Sequence, residues 1–138
     1  YEIGVRLVGS EMCIRDSFLV DIPTHKLDLL LKLREKYVVY LLSNTNEIHW
    51  KWTCKNLFPY RTFKVEDYFE KTYLSFEMKM AKPEPKIFKA IIEDAGIEPK
   101  ETLFIDDSEM NCKTAQNLGI STYTAKAGED WSHLFNLK

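Results

Sequence analysis

Short apolar segments alternate with longer amphipathic ones along this sequence, and the alternation is what most constrains the fold. The segments YVVYLLSN (37–44) and TLFIDD (102–107) are short and apolar, which is typical of strands buried on both faces. Shorter segments at 71–75 and 120–124 predict two further strands. Because strands alternate with helices, the sequence predicts an α/β fold in which a parallel sheet is covered by helices on both faces.

The intervening segments carry helical periodicity and helix-terminating residues. THKLDLLLKLREK places leucines at i, i+3 and i+4, which indicates an amphipathic helix. A second helix is predicted to start near Pro85 and to stop at Gly96, and a third to be capped by Ser108. The polar segment that follows the first apolar strand predicts a helix with Asn44 or Thr45 near its cap.

Composition excludes several classes of partner. The chain has 138 residues and a net charge of −2, and its acidic and basic residues are interspersed, so we expect no nucleic-acid or membrane partner. No apolar run approaches the length that spans a bilayer. The three cysteines, Cys13, Cys54 and Cys112, are too scattered for a disulfide scaffold or a zinc site. We therefore expect reduced thiols and a cytoplasmic protein.

Polar residues follow the predicted strands at the points where those strands end. Ser43 and Asn44 follow the first apolar strand, and Asp106 and Asp107 end the strand TLFI. Lys82 lies in a loop after the segment 71–75 and directly before a proline. Ligands of parallel α/β sheets gather at the carboxyl ends of the strands, so we expect these five residues to meet at one edge.

The residue types at this edge point to one kind of chemistry. Adjacent carboxylates at a strand end suit Mg²⁺, which prefers oxygen ligands and keeps several waters. A serine hydroxyl, an asparagine amide and helix N-terminal N–H groups suit phosphate oxygens. A lysine supplies positive charge to both the phosphate and the carboxylates. Together these groups predict an electrostatic clamp for phosphoryl transfer.

Each of these residues also has a purely structural interpretation. An isolated Asp-Asp pair is usually a turn or a helix cap, and a lysine before proline is common on surfaces. The apolar strand directly before Asp106 and Asp107, together with the order of the three groups, favours the metal and phosphate interpretation. Asn111 lies one turn into the next predicted helix, where it either holds the carboxylates by a hydrogen bond or caps the helix.

Three segments in this order, LLSNTN, KMAKPEPKIF and TLFIDDSEMN, resemble the second, third and fourth motifs of the haloacid dehalogenase (HAD) superfamily. The similarity extends over residues 18–131, and the branch it resembles is the sugar-phosphatase-like one, similar to bacterial glucose-1-phosphatases. The resemblance implies a Rossmann-like core. It also implies a Mg²⁺-dependent phosphatase that acts on a small phosphorylated metabolite, such as a sugar phosphate, through an aspartyl-phosphate.

The resemblance also implies a role for each matching residue. Ser43 and Asn44 would bind the phosphoryl group, and Lys82 would bridge the nucleophile and the phosphate. Asp107 would be a direct Mg²⁺ ligand, and Asp106 would hold a coordinated water. Asn111 would support the carboxylates from the following helix.

The sequence departs from the family pattern at its start. The family's first motif has the form DxD, ends the first strand and supplies the nucleophilic aspartate, and a helical cap follows it. No DxD occurs anywhere before Ser43, and no cap-like segment precedes the helix at Thr24. We therefore expect an incomplete HAD-like core that lacks its first strand and its cap. The vacant place between the strands at 37–43 and 102–106 would remain a gap or be filled by the apolar residues 2–8.

The segment LVGSEMCIRDS, residues 7–17, has no helical or strand periodicity like that of the rest of the chain. It matches a translation of DNA that resembles the transposon end used in sequencing-library adapters, together with the adjoining adapter bases. We interpret residues 1–17 as a non-native, adapter-derived segment and residues 18–138 as a fragment of the HAD-like core domain. Such segments are set aside before the fold is inferred.

The sequence thus predicts a parent protein that is a HAD phosphatase, and a chain that lacks the nucleophile and is inactive by itself. One alternative is a non-catalytic module that binds phosphate and metal on the same fold, which requires residues 1–17 to be genuine. Another is a dehalogenase, although cleavage of a carbon–halogen bond by an aspartate needs no metal, and the pair Asp106–Asp107 argues for one.

Overall fold

Five parallel strands form one sheet at the centre of the protein, in the order β3-β2-β1-β4-β5. The computed structural model describes residues 5–10, 24–126 and 132–135. The apolar segments predicted as strands all form strands, with ends that differ from the predicted ones by at most a residue or so. The bounds are β1 Val5–Ser10, β2 Val38–Ser43, β3 Lys71–Leu74, β4 Thr102–Asp106 and β5 Ser121–Thr124.

Helices fill the connections between successive strands from β2 onward. Short 3₁₀ turns occur at Pro99–Glu101 and Ser132–Leu134. In the described part of the chain, no helix is both long enough and apolar enough to cross a membrane. The α-helices are α1 Thr24–Lys36, α2 Glu47–Asn56, α3 Val65–Tyr68, α4 Ser75–Met78, α5 Pro85–Ala95 and α6 Glu109–Asn117.

The sheet is buried on both faces, as the apolar strands predicted. Along β2, Val39 and Leu41 belong to a core cluster that includes the leucines of α1. Tyr40 and Leu42 belong to a second cluster, which includes apolar residues of α5 and α6. Because side chains alternate across a strand, this division places helices against both faces. The predicted α/β fold is confirmed.

The place between β2 and β4 is filled, so the gap that the sequence allowed is not observed. Strand β1 pairs in parallel with both neighbours, Val5 with Val38 and Val5 with Thr102. An empty place there would leave the facing N–H and C=O groups of β2 and β4 without partners, which is costly in a buried sheet. The segment VRLVGS has enough β-branched and apolar residues to supply them. The predicted absence of a cap concerns residues 11–23, which lie outside the described residues.

Helix ends follow local chemistry. Ser108 caps α6 by accepting a hydrogen bond from an N–H in the first turn, and Gly96 ends α5 with a φ of 65°. The sequence predicted that the cap of α2 lies near Asn44 or Thr45. The cap is Asn46, whose side chain accepts a hydrogen bond from the N–H of His49 at 2.8 Å. The side chain of Asn44 instead bonds the backbone of Lys82.

Candidate functional site at the carboxyl edge of the sheet

The parallel strands deliver the predicted site residues to one edge of the sheet. Ser43, the last residue of β2, is paired with Ser10 of β1 on one side and with Leu74 of β3 on the other. Asp106 is the last residue of β4, directly after Ile105, which is paired with Val8. Ser43 and Asp106 are each only 2% exposed. The sheet edge therefore carries a hydroxyl on one side of the central strand and a carboxylate on the other.

A buried ion pair joins the loop that contains Lys82 to the end of β4. The Nζ of Lys82 lies 3.0 Å from Oδ2 of Asp106, and the side chains are 2% and 1% exposed. The ammonium also lies 5.9 Å from the centre of the Phe104 ring. Two charges removed from water this completely are tolerated only when each is paired and hydrogen-bonded. Lys82 thus lies beside the Asp106 carboxylate at the sheet edge, where the sequence analysis placed both residues.

Both oxygens of Asp106 are engaged by other groups of the protein. Besides the ammonium, Oδ2 accepts a hydrogen bond from Nδ2 of Asn111 at 2.8 Å, and Oδ1 accepts one from the N–H of Asp107 at 2.8 Å. Burial by itself would raise the pKa of Asp106. The charge of Lys82 and these hydrogen bonds outweigh burial and hold the pKa below its usual value. Asp106 is therefore a carboxylate in the folded protein at neutral pH.

Asp106 and Asp107 are adjacent in sequence but differ sharply in environment. Asp106 is buried, whereas Asp107 is exposed just past the strand end. A carboxylate surrounded by three donors has little freedom to approach a metal directly, whereas the exposed Asp107 is accessible to an ion from solvent. In the described part of the chain, no group of three or more His, Cys, Asp or Glu side chains is placed to hold a metal. One or two carboxylates completed by water are nevertheless a common donor set for Mg²⁺, so Asp107 and Asp106 fit that ion.

Asn44 is bonded to the backbone of Lys82 through both ends of its side-chain amide. Its Oδ1 accepts a hydrogen bond from the N–H of Lys82 at 2.9 Å, and its Nδ2 donates one to the carbonyl of Lys82 at 3.0 Å. The two residues are 38 apart in the sequence. This contact joins the loop after β2 to the loop that precedes α5.

Ser75 makes a similar contact on the other side of the same loop, and the sequence analysis did not identify it. Its Oγ accepts a hydrogen bond from the N–H of Thr45 at 2.9 Å and donates one to the carbonyl of Thr45 at 3.0 Å. Ser75 follows Leu74, the last residue of β3. A polar residue directly after a strand end was the available signal, the same signal that identified Ser43.

The structure thus brings most of the predicted residues into one hydrogen-bonded group. Asn111, for which a hydrogen bond and a helix cap were both open, bonds the Asp106 carboxylate through its side chain, and Ser108 is the cap. Ser43 is next to this group because it directly precedes Asn44 in the chain. The roles of these residues toward phosphate and metal remain predictions. The bonded group consists of Asn44, Lys82, Asp106, Asp107 and Asn111.

The central strand contributes no carboxylate to this edge. Strand β1 reads VRLVGS and ends at Ser10, beside Ser43. In the family pattern this strand end would carry the DxD nucleophile. The next residue in the sequence, Glu11, lies outside the described residues. The described strand therefore completes the sheet but supplies no nucleophilic aspartate.

The environment of Asp106 predicts an acid-dependent loss of stability. Because its folded pKa is below the usual value near 3.8, its contribution is present in full above that value and is lost as the pH falls through the lower folded pKa. We expect the difference in unfolding free energy between the wild type and Asp106→Asn to narrow below pH ~4. Urea unfolding between pH 7 and pH 3, in buffer free of divalent cations, measures it. A difference in unfolding free energy that stays constant with pH would contradict the lowered pKa of Asp106.

A family model described as haloacid dehalogenase-like hydrolase matches residues 11–119. This match spans well over half of the chain and includes all three motifs. The chain belongs to the haloacid dehalogenase-like hydrolases. The α/β fold with parallel strands is thus that of a HAD-like hydrolase, as the resemblance implied.

Individual HAD relatives share much of this sequence. The chain is 37% identical to D-ribitol-5-phosphate phosphatase of Bacteroides thetaiotaomicron, over 91% of this chain and 64% of the relative. It is 87% identical to a HAD family enzyme of Bacteroides thetaiotaomicron whose crystal structure is a complex with magnesium and inorganic phosphate. That superposition has a TM-score of 0.85 and covers 88% of this chain and 61% of the other.

A third relative is a HAD-like family hydrolase of Porphyromonas gingivalis, at 32% identity and a TM-score of 0.76, covering 89% of this chain and 63% of the other. This chain therefore spans less than two thirds of the length of each of these relatives.

Proposed function

We propose that the parent of this chain is a Mg²⁺-dependent HAD phosphatase, and that this chain carries the phosphate- and magnesium-binding part of its active site. The observation that carries the proposal is the buried pair of Lys82 and Asp106, with Asp107 exposed beside it at the same sheet edge. A relative that is 87% identical binds magnesium and inorganic phosphate. That pair of ligands is what a lysine and two carboxylates at a strand end suit.

In this proposal each residue has a physical task. Asp107 and Asp106 hold Mg²⁺, the exposed carboxylate directly and the buried one through a water. The ion offsets phosphate charge when it is bound. Lys82 adds a second positive charge, whose position is fixed because its ammonium is tied to Asp106. The hydroxyl of Ser43 donates to a phosphate oxygen from the end of β2.

The substrate class proposed is a phosphorylated sugar or sugar alcohol. D-ribitol-5-phosphate phosphatase, at 37% identity, is named for such a substrate. Glyceraldehyde 3-phosphate phosphatase of Pyrococcus furiosus, at 25% identity over 82% of this chain, is named for another small phosphorylated polyol derivative. The substrates in both names carry a phosphate monoester. This group is the part of a substrate that the described sheet edge would bind.

We further propose that this chain does not turn over substrate by itself. HAD phosphatases attack phosphorus with an aspartate of the first motif, and no DxD precedes Ser43. The strand that occupies the corresponding place carries no carboxylate. Residues 1–17 are, in this proposal, an adapter-derived segment, and residues 18–138 are the native core. The non-catalytic binding module shares the binding prediction and differs only in requiring residues 1–17 to be genuine.

Binding of inorganic phosphate in the presence of Mg²⁺ tests the part of the proposal that concerns this chain. We expect weak, Mg²⁺-dependent binding, measured by titration calorimetry or by the phosphorus NMR signal of phosphate. Asp107→Asn should weaken it by roughly tenfold or more, since a charged metal ligand is lost.

Glu93→Gln is the charge-matched control for that titration. Glu93 is exposed on α5, and its substitution removes one negative charge without touching the sheet edge. The control should bind phosphate and Mg²⁺ as the wild type does. Equal weakening by both variants would show a nonspecific charge effect, and binding that does not need Mg²⁺ would contradict the proposed magnesium site.

A further inference from the structure

We propose that Asn44 is a positioning residue for Lys82 and affects phosphate binding through Lys82, not through a phosphate contact of its own. The inference rests on the proposed function, because it concerns how the phosphate-binding lysine is placed. It revises the role that the resemblance implied for Asn44, which was a direct phosphate ligand.

The contact between the two residues has the geometry of a clamp. The side-chain amide of Asn44 has one acceptor and one donor end, and each end bonds the complementary backbone group of Lys82, at 2.9 and 3.0 Å. Two bonds to one residue fix the orientation of its backbone as well as its position. The carbonyl end of Asn44 and one N–H of its amide are thereby committed within the protein.

Lys82 needs such support because it does not lie in a helix or a strand. It lies between α4, which ends at Met78, and α5, which begins at Pro85, and loop backbones are generally less fixed than regular elements. A lysine ammonium sits at the end of a flexible four-carbon chain. Its position is therefore well defined only if the backbone that carries the chain is fixed. The clamp supplies that restraint from the end of β2, where the phosphate is proposed to bind.

A second pair of bonds closes a turn around Lys82. The N–H of Ala81 donates to Oε1 of Glu84 at 3.0 Å, and the N–H of Glu84 donates to the carbonyl of Ala81 at 2.9 Å. Lys82 thus lies inside a closed turn and is also held by the Asn44 clamp. The turn fixes the shape of the loop, and the clamp ties it to the residue that follows Ser43.

The loop that contains Asn44 is itself anchored. Ser75 bonds both the N–H and the carbonyl of Thr45, the residue after Asn44. A continuous series of contacts therefore runs from the end of β3, through Thr45 and Asn44, to Lys82 and on to Asp106 at the end of β4. Three strand ends and one loop are joined in this way.

A double-mutant cycle on phosphate affinity separates positioning from direct contact. With inorganic phosphate and Mg²⁺ as the probe, Asn44→Ala should weaken binding roughly tenfold, because both bonds that fix Lys82 are lost. In a Lys82→Met background, adding Asn44→Ala should have no further effect. If Asn44→Ala weakens binding equally in both backgrounds, Asn44 contacts phosphate itself and the inference is overturned.

An independent measurement decides the point if the Lys82→Met proteins do not fold. The N–H of Lys82 should be protected from hydrogen exchange in the wild type, and Asn44→Ala should accelerate its exchange about tenfold or more. Asn46→Ala is the matched control, since it removes an asparagine of the same loop that caps α2 and has no bond to Lys82 among those found. It should leave the Lys82 exchange rate unchanged.

The two proposals fail in different ways. Wild-type protein that binds no phosphate with Mg²⁺ would overturn the proposed function, whereas the exchange experiment needs no ligand and would still decide whether Asn44 holds Lys82. If the exchange rate of the Lys82 N–H is the same in Asn44→Ala and in the wild type, Asn44 does not position Lys82 and the inference fails.

Discussion

A chimera with a native HAD N-terminus is expected to be an active phosphatase, whereas the present chain is not. Residues 1–17 would be replaced by the N-terminal part of the 87%-identical Bacteroides thetaiotaomicron enzyme, up to the position that aligns with Phe18. The replacement would supply the DxD aspartates next to Ser43, Lys82 and Asp107. Hydrolysis of an aryl phosphate with Mg²⁺ should then exceed the rate of the present chain by at least ~10⁶-fold, the low end of enzymatic accelerations.

Asp107→Asn, made both in the chimera and in the present chain, is the control for this comparison. Asp107→Asn in the chimera should reduce turnover by about 10²-fold or more, because an electrostatic contribution to the transition state is lost. A panel of sugar and sugar-alcohol phosphates, D-ribitol 5-phosphate among them, would then define the substrate class. A chimera that folds but hydrolyses none of these compounds would contradict the proposed parent activity. Turnover by the present chain that disappears in Asp107→Asn would contradict its proposed inactivity.

Replacing Lys82 with Met is expected to give the largest loss of stability of any substitution at this edge. The variant leaves the Asp106 carboxylate buried without its cation, and breaking one side of such a pair costs about 3–5 kcal/mol. The hydrogen bonds from Asn111 and the Asp107 N–H remain, so the loss should fall toward the lower end. Urea unfolding at pH 7 measures the free energy, with the slope of the transition checked for constancy.

The matched control is Lys51→Met, which removes a lysine from an ion pair of similar length. Lys51 and Glu47 are 2.8 Å apart, but their side chains are 73% and 62% exposed. Exposed pairs contribute little, so this variant should unfold close to the wild type. In the double variant Lys82→Met with Asp106→Asn, part of the lost stability should return because the unpaired charge is gone. A further loss in the double variant would show that charge burial is not the cause.

Local patterns determined the elements of this protein correctly. The apolar segments form the strands, and Pro85, Gly96 and Ser108 act at the helix ends where their chemistry predicts. These features depend on residues within a few positions of one another, so periodicity and capping preferences suffice to identify them. The polar residues at strand ends were likewise identifiable, because parallel strands bring their carboxyl ends to one edge.

Contacts between distant loops were not determined in this way. The sequence shows that Asn44 follows a strand, but the residue that its amide bonds is 38 positions away. No local preference shows that Asn44 bonds this distant residue while a neighbouring residue caps α2. Ser75 is equally ordinary in the sequence and acquires its role only because β3 lies next to β2 in the sheet. Asn111 had two possible roles that only the bonded geometry distinguishes.

The sequence by itself determined the family, the α/β order and the set of groups at the sheet edge, because these follow from residue types and their spacing. The tertiary structure alone decided three things: that VRLVGS fills the centre of the sheet, that Asp106 is buried against Lys82 while Asp107 faces outward, and that Asn44 clamps Lys82. The physical reason is that burial and long-range hydrogen bonding depend on how the loops pack, which no short segment encodes.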